Sequence, residues 1–321
     1  MPLCFDMNFE ALQSYAGRNP KPSDFDDYWK RGINEVMAIE PAVELIPAKF
    51  SANFADCFDL YFTGTKRARI HAKFLRPKNI KGKCPAVLMF HGYSADSGDW
   101  LDKLPYVAAG FCVAAMDCRG QGGLSEDVGG VKGNTFGGHI IRGLDDSPDK
   151  LLFRDIFLDT FQLARVLSEM PEIDKNKLAA TGGSQGGALT VACAALVPWL
   201  NRAAPVFPFL SDYKRVWEMD LAKDAYNELK EYFRKFDPLH EKEDEVFSRL
   251  GYIDIQHFAP RINCEILWGI GLMDTICPPS TQFAVYNKIK SKKNLCVYKD
   301  FGHEWLPGMN DKIFSFMCEM L

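Results

Sequence analysis

The chain has 321 residues, 47% hydrophobic and 25% charged, with a formal net charge of −4. That balance fits a soluble globular protein and argues against the basic surface a nucleic-acid partner would need. No run reaches the roughly 18 apolar residues of a membrane span, and the longest, from Ala188 to Leu200, reads as a buried helix.

The first twenty residues carry acids and no long apolar core, which argues against a secretory signal and for a cytoplasmic protein. The ten cysteines are scattered without a CxxC pair and read as small buried hydrophobes kept reduced. No two of the six histidines stand at ligand spacing, so no metal site is expected.

In chain order, the stretch to about Ile46 reads as a helical extension, with Ser23 as an N-cap. Two alternating runs follow, Asp59 to Gly64 and Arg69 to Pro77, suited to an antiparallel edge. Ala86 to Gly92 and Cys112 to Asp117 are continuously apolar, as parallel strands covered on both faces are. A helical pattern runs from Leu151 to Met170. The short strand "LAATGG" and a helix of small residues from Gln185 come next, then a strand from Ala203 to Phe209.

Residues 212–250 form a charged helical insert, with Tyr226, Leu229, Phe233 and Phe236 at helical spacing. The insert is a cap over a site, an oligomer contact or a solvated helical pair. The chain ends in strand–helix alternation: Cys264 to Gly271, Pro279 to Ile289, Asn294 to Asp300 and Asp311 to Leu321. Strands alternating with helices predict one α/β domain over 1–321, a mostly parallel sheet with helices on both faces. The insert lies before its last two strands.

The stretch "TGGSQGGALT" poses the functional question. Gly182-Gly183-Ser184-Gln185-Gly186 matches G-x-S-x-G between a strand and a helix. A turn that tight demands tiny residues two before and two after the serine, and leaves the hydroxyl exposed on strained backbone. A serine hydroxyl needs a base to become a nucleophile. On such a sheet the partners follow in the order Ser, acid, His, each just beyond a late strand. Asp274 and His303 meet that condition. His71, His91, His139, His240 and His257 stand inside a strand or upstream of the acid. The backbone N–H groups of Gln185 and Tyr93 are the candidate oxyanion donors, Tyr93 following the strand that ends at Gly92.

"MDCRGQGG", "GGSQGG" and "GHE" together resemble carbohydrate esterase family 7, the acetyl xylan esterases and cephalosporin C deacetylases of the α/β-hydrolase fold. "GNTFGGHIIRG", "FLSDYKR" and "GLMDTICPPST" are similar to family segments as well, so the resemblance covers nearly the whole chain. It implies hydrolysis of acetyl esters on sugars, with tolerance for cephalosporin C. It implies Ser184 as nucleophile, His303 as base, Asp274 as the group orienting the histidine, and no cofactor. It also implies a homo-oligomer, commonly a hexamer, with small acetylated sugars as partners and neither nucleic acid nor membrane.

An acetyl group asks for a short apolar pocket, and Tyr93, Pro208 and Phe209 are candidates to close it. Arg119, Gly120 and Gln121 follow a strand at the same edge, where Arg119 reads as a partly buried charge holding loops together. Glu304 reads as a support beside His303. The alternatives are another short-chain carboxylesterase, a lipase-like esterase or peptidase of the same fold, and a non-catalytic sugar-binding protein.

Overall fold

The structure, a computed structural model, describes residues 5–131 and 139–321. The start of the chain and the first part of "GNTFGGHIIRG" lie outside the described residues. Helix α1 (Phe9–Ser14) begins where the Asn8 side chain accepts the Ala11 N–H at 2.8 Å, satisfying a donor that has no helical partner. Helix α2 (Phe25–Met37) buries Phe25, Tyr28, Trp29, Gly32 and Val36 along one stripe. Its N-cap is Asp24, not the expected Ser23, and no side chain caps it. The Asp24 carboxylate is engaged elsewhere, accepting the Tyr252 hydroxyl at 2.6 Å.

The expected helical extension to Ile46 also needs correction. Glu44–Pro47 forms strand β1, exposed along its whole length and paired antiparallel with the next strand. Four exposed residues carry no alternation to read, and the neighbouring ladder makes them a strand.

The chain continues through β2 (Ala55–Thr63), β3 (Arg69–Pro77), β4 (Cys84–Phe90), α3 (Leu104–Ala109) and β5 (Cys112–Met116). Then come α4 (Leu152–Glu169), β6 (Ile173–Gly183), α5 (Gln185–Leu196) and β7 (Arg202–Val206). The insert holds α6 (Tyr213–Glu218), α7 (Asn227–Phe236) and α8 (Glu243–Leu250). The last elements are β8 (Glu265–Gly271), α9 (Pro279–Tyr286), β9 (Lys293–Tyr298) and α10 (Met309–Cys318).

One nine-stranded sheet results, in the order β1-β2-β3-β5-β4-β6-β7-β8-β9. The ladders from β1 to β5 are antiparallel, and β4 to β9 all run parallel. Alternate residues of the central strands enter different cores, as the two-residue period of a strand requires. Leu88, Ala180, Ala203 and Trp268 join the core that holds α2, α4 and α5. Val87, Ala179, Ala204 and Leu267 join Met309, Ile313 and Phe316 of α10 on the opposite face.

Asp212, at the start of the insert, ties the N-terminal segment down. Its carboxylate accepts the Tyr15 hydroxyl at 2.7 Å and the N–H groups of Arg18 and Asn19 at 2.9 and 2.8 Å. Beside this anchor, His257 is buried against the edge of Phe25, its Nε2 3.2 Å from the Pro20 carbonyl. Burial, reinforced by Lys288, pushes the His257 imidazole down to about 3. In the unfolded chain the same ring takes up a proton near pH 6.5. Its stabilising effect is therefore present above about pH 6.5 and is lost as pH falls toward 3, by up to about 1.4 kcal/mol per pH unit. Thermal melts at pH 7.5 and 4.5 check this. The fall in Tm on acidification is expected to be smaller in His257→Gln than in the wild type, and equal falls would contradict it.

Candidate active site

Every candidate group leaves the sheet at the carboxyl end of a parallel strand, where open α/β sheets place their ligands. Tyr93 follows β4, Arg119 follows β5, Ser184 follows β6, Asp274 follows β8 and His303 follows β9.

The serine turn shows why its glycines are there. Ser184 has φ 58° and ψ −119°, a conformation a side chain adopts only under strain. A Cβ on Gly186 would lie 2.0 Å from the Phe90 carbonyl oxygen, and one on Gly182 would lie 2.5 Å from the same atom. One on Gly187 would lie 2.7 Å from the Val206 carbonyl oxygen. The obstructing atoms are backbone and cannot swing aside. Gly186→Ala is therefore expected to cost at least about 3 kcal/mol, at the upper end for overpacking, or to leave the protein insoluble. Urea unfolding checks this, and a wild-type midpoint would contradict it.

The three candidate catalytic side chains converge. Ser184 Oγ stands 3.0 Å from His303 Nε2, and His303 Nδ1 stands 2.8 Å from Asp274 Oδ2. A carboxylate only accepts, so Nδ1 carries the hydrogen and Nε2 is left to accept from the serine hydroxyl. Asp274 is fully buried, and its Oδ1 accepts the N–H groups of Ile276 and Cys277 at 2.9 and 2.8 Å. Those bonds fix which oxygen faces the imidazole. Asp274, Cys277 and His303 present ligand-type atoms within 4.8 Å of one another, but the Asp–His hydrogen bond already occupies one of the ring nitrogens. Burial, and then the Asp274 charge, hold the Cys277 thiol well above its usual range, so it stays a neutral neighbour of Ser184.

The other histidines have partners of their own. His71 is buried between Asp117 at 2.6 Å and Asp59 at 3.0 Å. His91 accepts the Cys118 N–H at 2.9 Å, and burial lowers its pKa. His240 lies 3.2 Å from Glu243 on the exposed side of the insert.

Gln185 opens α5 with its side chain fully buried. Its amide pairs reciprocally with that of Gln121, at 2.8 and 3.0 Å. The same Gln121 oxygen accepts the Ser94 N–H at 2.9 Å. Gln121 thus clamps the loop after β4 to the serine turn, next to both candidate oxyanion donors. Among the described residues, no hydrogen bond occupies the main-chain N–H of Tyr93 or of Gln185.

Arg119 is buried and pairs through two bonds of 2.7 Å with Asp159 on α4, reaching also to the Thr65 carbonyl at 3.3 Å. Its contacts hold the loop after β5 against α4 and the β2–β3 turn. Gly120 takes a left-handed φ of 72° and lets the chain reverse. Glu304 is exposed and accepts the Gly302 N–H at 3.0 Å, bracing the loop that carries His303.

Pro208 is buried against Gly187 at the start of α5. Phe209 is fully buried behind the Tyr93 ring, 5.5 Å centroid to centroid. The Phe209 N–H donates to the Ser184 carbonyl at 3.0 Å, and the ring of that stretch that packs on the triad is one the sequence reading passed over, Phe207, 4.5 Å from the His303 imidazole. Its position in "VFPF", just past the end of a central strand, was the available signal.

A serine on a strand–turn–helix elbow of a mostly parallel sheet defines an α/β-hydrolase. Comparison with known proteins narrows the class. A family model described as acetyl xylan esterase (AXE1) matches residues 1–320. Acetyl xylan esterase 1 from Thermoanaerobacterium sp. JW/SL YS485 superposes with a TM-score of 0.97 at 57% identity, covering 98% of this chain and 99% of that one. The acetyl xylan esterase from Paenibacillus sp. R4 superposes with a TM-score of 0.94 at 31% identity, covering 98% and 100%. Acetyl esterase Axe7A from Xylanibacter ruminicola is 27% identical over 290 residues, 88% of this chain. The match spans 63% of that longer relative. The chain belongs to the acetyl xylan esterase family, and with it to the carboxylic ester hydrolases. No helix among the described residues is long and apolar enough to cross a membrane.

Proposed function

We propose that the protein removes acetyl groups from acetylated sugars, xylo-oligosaccharide acetates among them, through a Ser-His-Asp triad and an acetyl-enzyme. The observation that carries this is the unbroken chain from Ser184 Oγ through His303 to buried Asp274, at 3.0 and 2.8 Å. Similarity over nearly full length to the Thermoanaerobacterium acetyl xylan esterase supports the substrate class.

In the proposed cycle His303 Nε2 takes the Ser184 proton as Oγ attacks the acetyl carbonyl. The oxyanion forms against the main-chain N–H groups of Tyr93 and Gln185. His303 then returns the proton to the departing sugar oxygen. Water, deprotonated by the same nitrogen, releases acetate and restores the serine. Asp274 keeps Nδ1 protonated and stabilises the imidazolium. These residues complete the cycle without calling on a cofactor. The resemblance to carbohydrate esterase family 7 extends the proposal to acetyl esters of the cephalosporin C type and a homo-oligomer (a hexamer), and the acids and lack of a long apolar core in the first twenty residues extend it to a cytoplasmic location. The net charge of −4 gives no support to a nucleic-acid partner.

Acyl-chain selectivity tests the reading. Hydrolysis is expected to fall steeply from p-nitrophenyl acetate through butyrate to octanoate. A preference for octanoate would contradict the short acyl site and favour a lipase-like esterase. A folded protein inactive on all three would favour a non-catalytic sugar-binding role.

A further inference from the structure

The insert carries a buried acid, Glu228, that bonds the side chain of a candidate site residue, Tyr93. Glu228 sits in the first turn of α7 and is only 7% exposed, on a helix whose other charged residues are mostly solvated. One of its oxygens accepts the Tyr93 hydroxyl, and the other accepts the Ile141 N–H at 3.0 Å. The Tyr93 oxygen in turn accepts the His139 N–H at 3.1 Å. The Tyr93 ring is packed by His139 at 5.0 Å and by Phe209 at 5.5 Å. Phe209 rests on Tyr226 at 4.3 Å, two residues before Glu228.

The insert therefore grips Tyr93 by its hydroxyl and, through Phe209, by its ring. The main chain beside Tyr93 is held from the other direction by Gln121 through Ser94. Burying a carboxylate is unfavourable unless specific bonds repay it, and an apolar residue would pack an insert helix at less cost. Burial raises the Glu228 carboxyl, against the pull of the Tyr93 hydroxyl and the N–H groups of 139–141. Tyr93 is itself raised, by burial first and then by Glu228, so it remains a donor.

We propose that Glu228 is a positioning residue for acyl transfer: acting through the Tyr93 hydroxyl, it fixes the Tyr93 ring and main-chain N–H, and so sets both the oxyanion geometry and the depth of the acyl site. This rests on the Ser184 reading above. It gives the insert a role in the chemistry as the element that locks one wall of the site.

The experiment measures kcat and KM for p-nitrophenyl acetate and butyrate in the wild type, Tyr93→Phe, Glu228→Ala, Glu228→Gln and the Tyr93→Phe/Glu228→Ala double variant. Tyr93→Phe and Glu228→Ala are each expected to lower kcat on acetate about tenfold, as small misplacements of catalytic groups do. KM for acetate stays within about twofold, and the preference for acetate over butyrate narrows in both. The double variant falls no further than the weaker single one, because both changes break the same link. Glu228→Gln keeps one of the two bonds and recovers part of the loss.

Losses that multiply in the double variant would overturn the proposal, and so would a wild-type kcat with unchanged selectivity in Glu228→Ala. Should Glu228→Ala not fold, wild-type kcat and selectivity in both Tyr93→Phe and Glu228→Gln would overturn it equally. Ser184→Ala, assayed alongside, separates the two claims. Activity surviving there defeats the esterase mechanism itself, whereas an inactive Ser184→Ala with wild-type Glu228 variants defeats only this inference.

Discussion

Ser184→Ala is expected to lower kcat on p-nitrophenyl acetate by about six orders of magnitude while leaving the fold intact. The substitution keeps the Cβ and the backbone at φ 58°, so it neither relieves nor adds strain at the turn. What it removes is one oxygen, the atom 3.0 Å from His303 Nε2. Without it the imidazole has no nucleophile to deprotonate, and no acetyl-enzyme forms. Substrate still meets the Tyr93 and Gln185 amides, so a residual acceleration of about 10³ over water persists. The assay is steady-state hydrolysis with a melt on the same sample. Wild-type turnover in a folded variant would mean that Ser184 is not the nucleophile.

Asp274→Asn is expected to lower kcat by about 10⁴ with little change in stability or KM. The local bonds dictate this. The Ile276 and Cys277 N–H groups both point at Oδ1, so the new amide oxygen must stay with them. Its NH₂ then faces His303 Nδ1, where two donors cannot meet. The ring responds by moving its hydrogen to Nε2, the nitrogen that should accept from Ser184. Catalysis is lost through the wrong tautomer, with every heavy atom near its original place. A kcat within tenfold of the wild type would show that the Asp274–His303 bond of 2.8 Å does not set the tautomer.

These effects sit on the part of the molecule that was most legible in the sequence. The elbow leaves a local trace, because steric demands confine tiny residues to fixed offsets from Ser184. Asp274 and His303 are legible by order, since each follows a late strand of the parallel sheet. The central strands and the long α4 declare themselves by continuous apolar runs and helical period.

What stayed hidden depends on distant partners. Strand β1 is four exposed residues that become a strand only against Tyr61, Leu60, Asp59 and Phe58. Helix α3 buries only Val107 and shows almost no periodicity. Arg119 reads as a loop-holding charge, but no sequence pattern names Asp159, forty residues on, as its partner. Glu228 looks like one more acid in a charged insert. Its burial depends on Tyr93 and Ile141, which lie 135 and 87 residues away in the chain. Phe207 was not singled out because its ring contact is with His303, a distant partner in the chain.

The most direct test of the central claim, that Ser184 is the catalytic nucleophile, is covalent capture. The wild type is treated with diethyl p-nitrophenyl phosphate, residual activity is followed on p-nitrophenyl acetate, and the digested protein is mapped by mass spectrometry. The account predicts one diethylphosphoryl group per chain on the peptide carrying Ser184, gained in step with the loss of activity. Full inactivation with the label on another residue, or a fully labelled Ser184 in a protein that still turns over, would contradict it.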